Sequence, residues 1–198
     1  MKWRLPTAGF TMVEVIVVVS IIGILVSLVT ININEARATA RDNTRVAGLE
    51  QLQVALEIYK AQYGVYPDAG CGAGDDWAGP GPQDFSSNVI SCDDYIVGDS
   101  PGRNFVPDFI AELPSDPKEE DERGLGFIYR TNSDNSAYKA VVYQSVELET
   151  VDGYAHPFAV CPTNTAGTMC NSSPDPTSYG IYSAGAEDWE VEITVMTM

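Results

Sequence analysis

The chain has 198 residues, enough for one ordinary domain with its own core, and it sets 11 Lys and Arg against 28 Asp and Glu for a formal net charge of −17. That charge excludes general nucleic-acid binding, which requires clustered cations against phosphate. It suits an exported, soluble surface.

Met1 to Gly9 is a short leader whose only charges are Lys2 and Arg4. The next stretch, Phe10 to Val29, is apolar except for Thr11, Glu14, Ser20, Gly23 and Ser27. About 20 such residues rise roughly 30 Å as a helix, the thickness of a bilayer core. A secretory signal peptide has a shorter apolar region with small residues at its far end, whereas here the small residue, Gly9, comes first. Basic residues in the leader hold it in the cytoplasm, so the chain after about residue 30 faces outward. Glu14 is a carboxylate inside this apolar run, a placement that costs on the order of 3 kcal/mol at a bilayer centre without a partner. It reads either as an acid tolerated at the membrane edge or as one that pairs with a cation when helices come together.

The helical pattern continues through 31–63, where Leu49, Leu52, Leu56, Tyr59 and Tyr63 recur at amphipathic spacing, and Gly64 and Pro67 end it. Phe10 to about Tyr63 therefore reads as one helix of about 80 Å, apolar all round in its first half and along one stripe in its second. Arg37, Arg41 and Arg45 share one helix face. They read either as a cationic stripe for lipid phosphates or acidic heads, or as a solvated face.

The globular head, 64–198, opens with a loop region over 68–112 that is rich in Gly, Pro, Asp and Ser, with Trp77, Phe85 and Phe105 as its anchors. Strand signals follow at Phe127 to Thr131, Tyr138 to Val146, Tyr179 to Ser183 and Val191 to Val195, with a turn over Asn132 to Ser136. Alternation in the second is imperfect, so its faces stay unassigned. Four cysteines, Cys71, Cys92, Cys161 and Cys170, are spaced too widely for a CxxC pattern, and their even number behind an export signal predicts disulfides. Pairing Cys71 with Cys92 and Cys161 with Cys170 closes short loops, worth roughly 3 kcal/mol each on the chain-entropy account. The other two connectivities stay open.

The run Gly9, Phe10, Thr11, Met12, Val13, Glu14, behind a basic leader and ahead of a long apolar segment, resembles the class III signal of type IV pilins and the pseudopilins of type II secretion. Leu113 to Pro117 followed by Tyr129, and Tyr182 to Glu187, resemble the heads of the same family. The resemblance implies an α+β fold, a long N-terminal helix with a transmembrane first half packed by its second half on a small antiparallel sheet. It implies that a prepilin peptidase cuts between Gly9 and Phe10 and methylates the new amine, and that Glu14 neutralises a neighbour's N-terminus. Implied partners are copies of the chain in a filament, the membrane, and an assembly platform with its ATPase. The implied location is the inner membrane, single-pass with the head outside, and then a periplasmic or extracellular filament. Where many members carry proline, this chain has Ile31. Calcium is the one implied cofactor, with Glu187 and Asp188 as candidate ligands and Asp116 more remote.

No phosphate-cradling loop, nucleophile elbow or zinc helix is present, and the lone His156 precedes Pro157 as a turn residue does. Acid pairs are too numerous for any one to mark an acid–base couple. No enzyme is expected. A long variable loop and a C-terminal disulfide are features of surface pilins, so the primary reading is a type IV pilus-like filament subunit. A type II secretion pseudopilin is the alternative, and a membrane-tethered hydrolase or binding protein the competitor from another class.

Overall fold

The computed structural model describes residues 9–80, 89–118, 126–143, 145–148, 157–160, 178–186 and 189. The chain divides into two compact units, Met1–Ala38 and Thr39–Met198. One helix, α1, covers Met12–Tyr63 without interruption. The sequence expectation began it at Phe10, but Phe10 and Thr11 stand before the first turn. Gly23 and the pair Asn32 and Asn34 do not break it, in keeping with the small per-residue penalties of weak helix formers.

In the second unit the expected stripe is the core. Leu49, Leu52, Leu56 and Tyr59 are fully buried, and Tyr63 packs at the edge of the same cluster. They meet Phe127, Tyr129, Tyr138, Ala140, Val142, Tyr179 and Ile181 from the sheet. Gly48 lets the helix approach this closely, since a Cβ there would lie 2.8 Å from the Phe127 ring and 3.0 Å from Pro114.

Seven strands are formed among the described residues: β1 Asp68–Ala69, β2 Trp77–Gly79, β3 Val89–Ser91, β4 Ile96–Val97, β5 Gly126–Thr131, β6 Tyr138–Tyr143 and β7 Tyr179–Tyr182. β1 and β4 pair alone, and the others form one sheet in the order β3-β2-β5-β6-β7. This sheet is mixed, because β2 and β3 run parallel while the remaining neighbours are antiparallel. The expected all-antiparallel sheet is corrected here. Strands of two and three residues carry too little alternation to be read from sequence, so the 68–112 region looked like loop.

β6 explains its own poor alternation. Ala140 and Val142 face α1, while Val141 joins Trp77, Val89 and Ile128 in a second apolar cluster on the opposite face. A strand buried on both sides loses the apolar–polar rhythm. It also ends at Tyr143 rather than at the expected Val146. Val146 instead packs on the main core as the chain turns back to α1. The strand expected at Val191 to Val195 lies outside the described residues, as does the anchor Phe85, whereas Trp77 and Phe105 are buried.

Candidate assembly site

In the first unit the described residues begin with Gly9 and Phe10, both exposed and outside the helix. Helix α1 then begins on a reciprocal cap. The Thr11 N–H and hydroxyl each donate to Glu14 Oε2 at 2.8 Å, and the Glu14 N–H donates back to Thr11 Oγ1 at 3.3 Å. This is a capping box, with two otherwise orphaned backbone donors satisfied and a carboxylate set at the positive end of the helix dipole. It holds the Glu14 carboxylate beside the residue that follows Phe10. Thr11, counted above only as a polar interruption, is therefore part of the site; the signal was its spacing of three from Glu14.

Beyond the cap the helix is apolar on every side. Met12, Val13, Ile16, Val17, Ile21, Ile24 and Leu25 are each more than half exposed. The two serines in this stretch turn inward on the helix's own backbone, Ser20 Oγ donating to Ile16 O and Ser27 Oγ to Ile24 O, each at 2.7 Å. Such a surface calls for apolar surroundings. Among the described residues no helix is long and apolar enough to cross a membrane. The expected span, Phe10 to Val29, includes Phe10 and Thr11 ahead of the helix, and Leu28 and Val29, whose side chains lie outside the described residues.

In the second unit a charge cluster ties the head's loops to α1. Arg45 is fully buried and grips Asp116 with two bonds of 2.8 Å, while its third nitrogen reaches Asp42 at 2.7 Å and Glu147 at 3.1 Å. Arg41 holds both oxygens of Glu147 at 2.6 Å, and Lys118 Nζ adds a contact at 2.9 Å. Asp42 accepts the N–H groups of Glu147 and Leu148 at 3.0 to 3.2 Å. Burial by itself would raise the Asp116 pKa, but the Arg45 fork overrides it and holds the carboxyl below its ordinary value. Glu147 is lowered to about 2, chiefly by the Arg41 bonds. Arg45 is held above its ordinary value against the opposing effect of burial by its three carboxylates.

This overturns the reading of Arg37, Arg41 and Arg45 as one cationic or solvated face. Arg37, in the first unit, is exposed; Arg41 and Arg45 are spent on acids 71 to 106 residues away, which no local spacing reveals. Asp116, named as a remote calcium ligand, has both oxygens on Arg45. Among the described residues no group of three metal-binding side chains comes together, and Glu187 and Asp188 lie outside them. Cys71 and Cys92 are joined in a disulfide, Cα to Cα 6.1 Å, while Cys161 and Cys170 lie outside the described residues.

A long helix that opens on a Thr–Glu cap and a head of helix on mixed sheet make an α+β, pilin-like arrangement. Residues 5–30 match the family described as the prokaryotic N-terminal methylation motif. The chain is 40% identical over 67 residues to the type II secretion system core protein G of Vibrio cholerae serotype O1, covering 34% of this chain and 46% of that one. It is 40% identical over 60 residues to the protein of the same name from Aeromonas hydrophila, covering 30% and 42%. The chain thus spans under half the length of these curated relatives. No solved structure matches it. The motif and these relatives make the chain similar, over its matched part, to the type IV pilins and pseudopilins.

Proposed function

We propose that this chain is a structural, non-catalytic subunit of a type II secretion pseudopilus rather than of a surface pilus. The observation that carries the choice is its 40% identity over 67 residues to a type II secretion core protein. That similarity outweighs the long loop and the C-terminal cysteines that favoured a pilus. The precursor inserts through its apolar helix with the head outside the inner membrane. Prepilin peptidase then cuts after Gly9 and methylates Phe10. An assembly platform and its ATPase draw the subunit into a filament of like copies.

The chemistry of addition follows from the cap. Cleavage creates an amine at Phe10, and in a water-poor bundle of helices a lone buried charge is costly while an opposite one nearby is strongly attractive. Glu14 lies four residues on in the chain, close to the start of the helix, so the amine of an incoming subunit meets the Glu14 of its neighbour at one axial offset. The capping bonds keep that carboxylate aimed at the helix start before a partner arrives.

Two measurements test this reading. Mass spectrometry of the mature protein should show an N-methylated Phe10, and intact Met1 would reject the processing. Deleting the gene should block export of secreted enzymes, with restoration by the wild-type chain. Intact secretion together with loss of surface filaments would return the assignment to a pilus.

A further inference from the structure

On the sheet face turned away from α1, Arg130 of β5 stands directly opposite Lys139 of β6. Like charges in a cross-strand pair repel, and here they sit together in a strongly acidic chain. The guanidinium carbon lies 6.0 Å from the centre of the Trp77 ring and 5.2 Å from that of Trp189. Lys139 Nζ donates to Trp189 O at 2.6 Å and lies 5.6 Å from the centre of the Tyr182 ring. The other arginines described in the head, Arg41, Arg45 and Arg103, are held by carboxylates of the same head. Arg130 has ring faces, and its Nε is buried without a hydrogen-bond partner. Among the described residues it has no carboxylate in reach. Arginine restrained between aromatic rings and partly shielded from water is the composition of an interface anchor, preset to take a carboxylate.

The same head carries a rigid acidic counterpart. Asp93 and Asp94 are exposed on the bend after β3. The bend is pinned by the disulfide of Cys92 to Cys71, by Gly70 N–H donating to Tyr95 O at 3.0 Å, and by the β1–β4 pair. Little freedom is left to lose on docking.

We propose that the Arg130 cage receives the Asp93–Asp94 bend of a second copy of this chain, which rests on the filament reading above. Two different patches make a heterologous contact, the kind that generates open helical assemblies when it does not close. A chain of net charge −17 also needs a local attraction to bring heads side by side, since their overall fields repel.

The test uses the full-length chain in its host, reading the yield of cross-linked filament in the cell envelope alongside mature N-terminus and protease resistance of the head. Arg130→Glu, and separately Asp93→Lys with Asp94→Lys, should each lower yield about tenfold with processing unchanged. The combined charge swap should recover most of it, which a merely misfolded head would not. Arg130→Gln provides a shape-conserving check, with a smaller loss. Wild-type yield from folded Arg130→Gln and Arg130→Glu overturns the contact, as does a folded swap that stays defective. Rescue of Arg130→Glu by Glu187→Lys or Asp188→Lys instead overturns it in favour of a partner within the chain. A wild-type chain that is processed yet forms no filament defeats the filament reading itself, and this proposal with it.

Discussion

Arg45 and Asp116, 71 residues apart, are joined by two parallel bonds of 2.8 Å with the guanidinium wholly removed from solvent. Asp116 also accepts the Lys118 N–H at 2.8 Å, so the pair fixes the segment that follows Pro114 onto the helix. Removing Arg45 leaves Asp116 a buried charge without its cation, whereas removing Asp116 leaves Arg45 with Asp42 and Glu147. Arg45→Ala should therefore destabilise the head by about 3–5 kcal/mol, and Asp116→Asn by less. Replacing both with apolar residues of similar volume should lose much less. Chemical denaturation of the mature protein measures both; equal losses from the single and the double replacement would contradict the account.

Glu147 gives the cluster a pH signature. Its folded pKa is about 2 against an ordinary 4.5, so the carboxylate is favoured by folding. For a depressed carboxyl the stabilisation is complete above the unfolded value and declines as pH falls towards the folded one. Asp116 is shifted in the same direction. Thermal unfolding should show stability falling as the pH is lowered from 4.5 towards about 2, with a shallower fall in Glu147→Gln. An unchanged slope in that variant would remove Glu147 from the linkage.

Gly70 faces a backbone carbonyl, and a Cβ there would lie 1.8 Å from Asp94 O. The neighbouring Cys71 already sits at a φ of 54° and is bonded to Cys92, so the chain has little room to yield. Gly70→Ala should cost about 1–3 kcal/mol and loosen the acidic bend. Hydrogen exchange at Tyr95 and Ile96 reads the loosening directly, and wild-type protection there would show that the bend adapts.

What the sequence disclosed is what repeats locally. The spacing of Leu49, Leu52, Leu56 and Tyr59 marked the helix face that meets the sheet, and the runs at Phe127, Tyr138 and Tyr179 marked three long strands. Trp77–Gly79 and Val89–Ser91 escaped notice because three residues carry no rhythm, and their parallel pairing depends on a crossover rather than on a turn signal. Arg41 and Arg45 were misread for a different reason: Asp116 and Glu147 arrive from distant segments, and only the folded chain brings them to the helix. Glu14 stood out as a charge in apolar surroundings, whereas its partnership with Thr11 became visible only with the cap geometry.

Glu14 carries the central claim, that a carboxylate held at the helix start by Thr11 meets the amine of the next subunit. Glu14→Gln preserves the shape of the side chain and removes its charge, and the amide oxygen can still accept from the Thr11 N–H. The decisive measurement is the yield of cross-linked filament in the cell envelope for Glu14→Gln beside that of wild type, with the mature N-terminus and membrane level determined in both. Normal cleavage and normal membrane content with filament yield reduced at least about tenfold is the expected result. Wild-type filament yield from Glu14→Gln would contradict charge pairing as the basis of assembly.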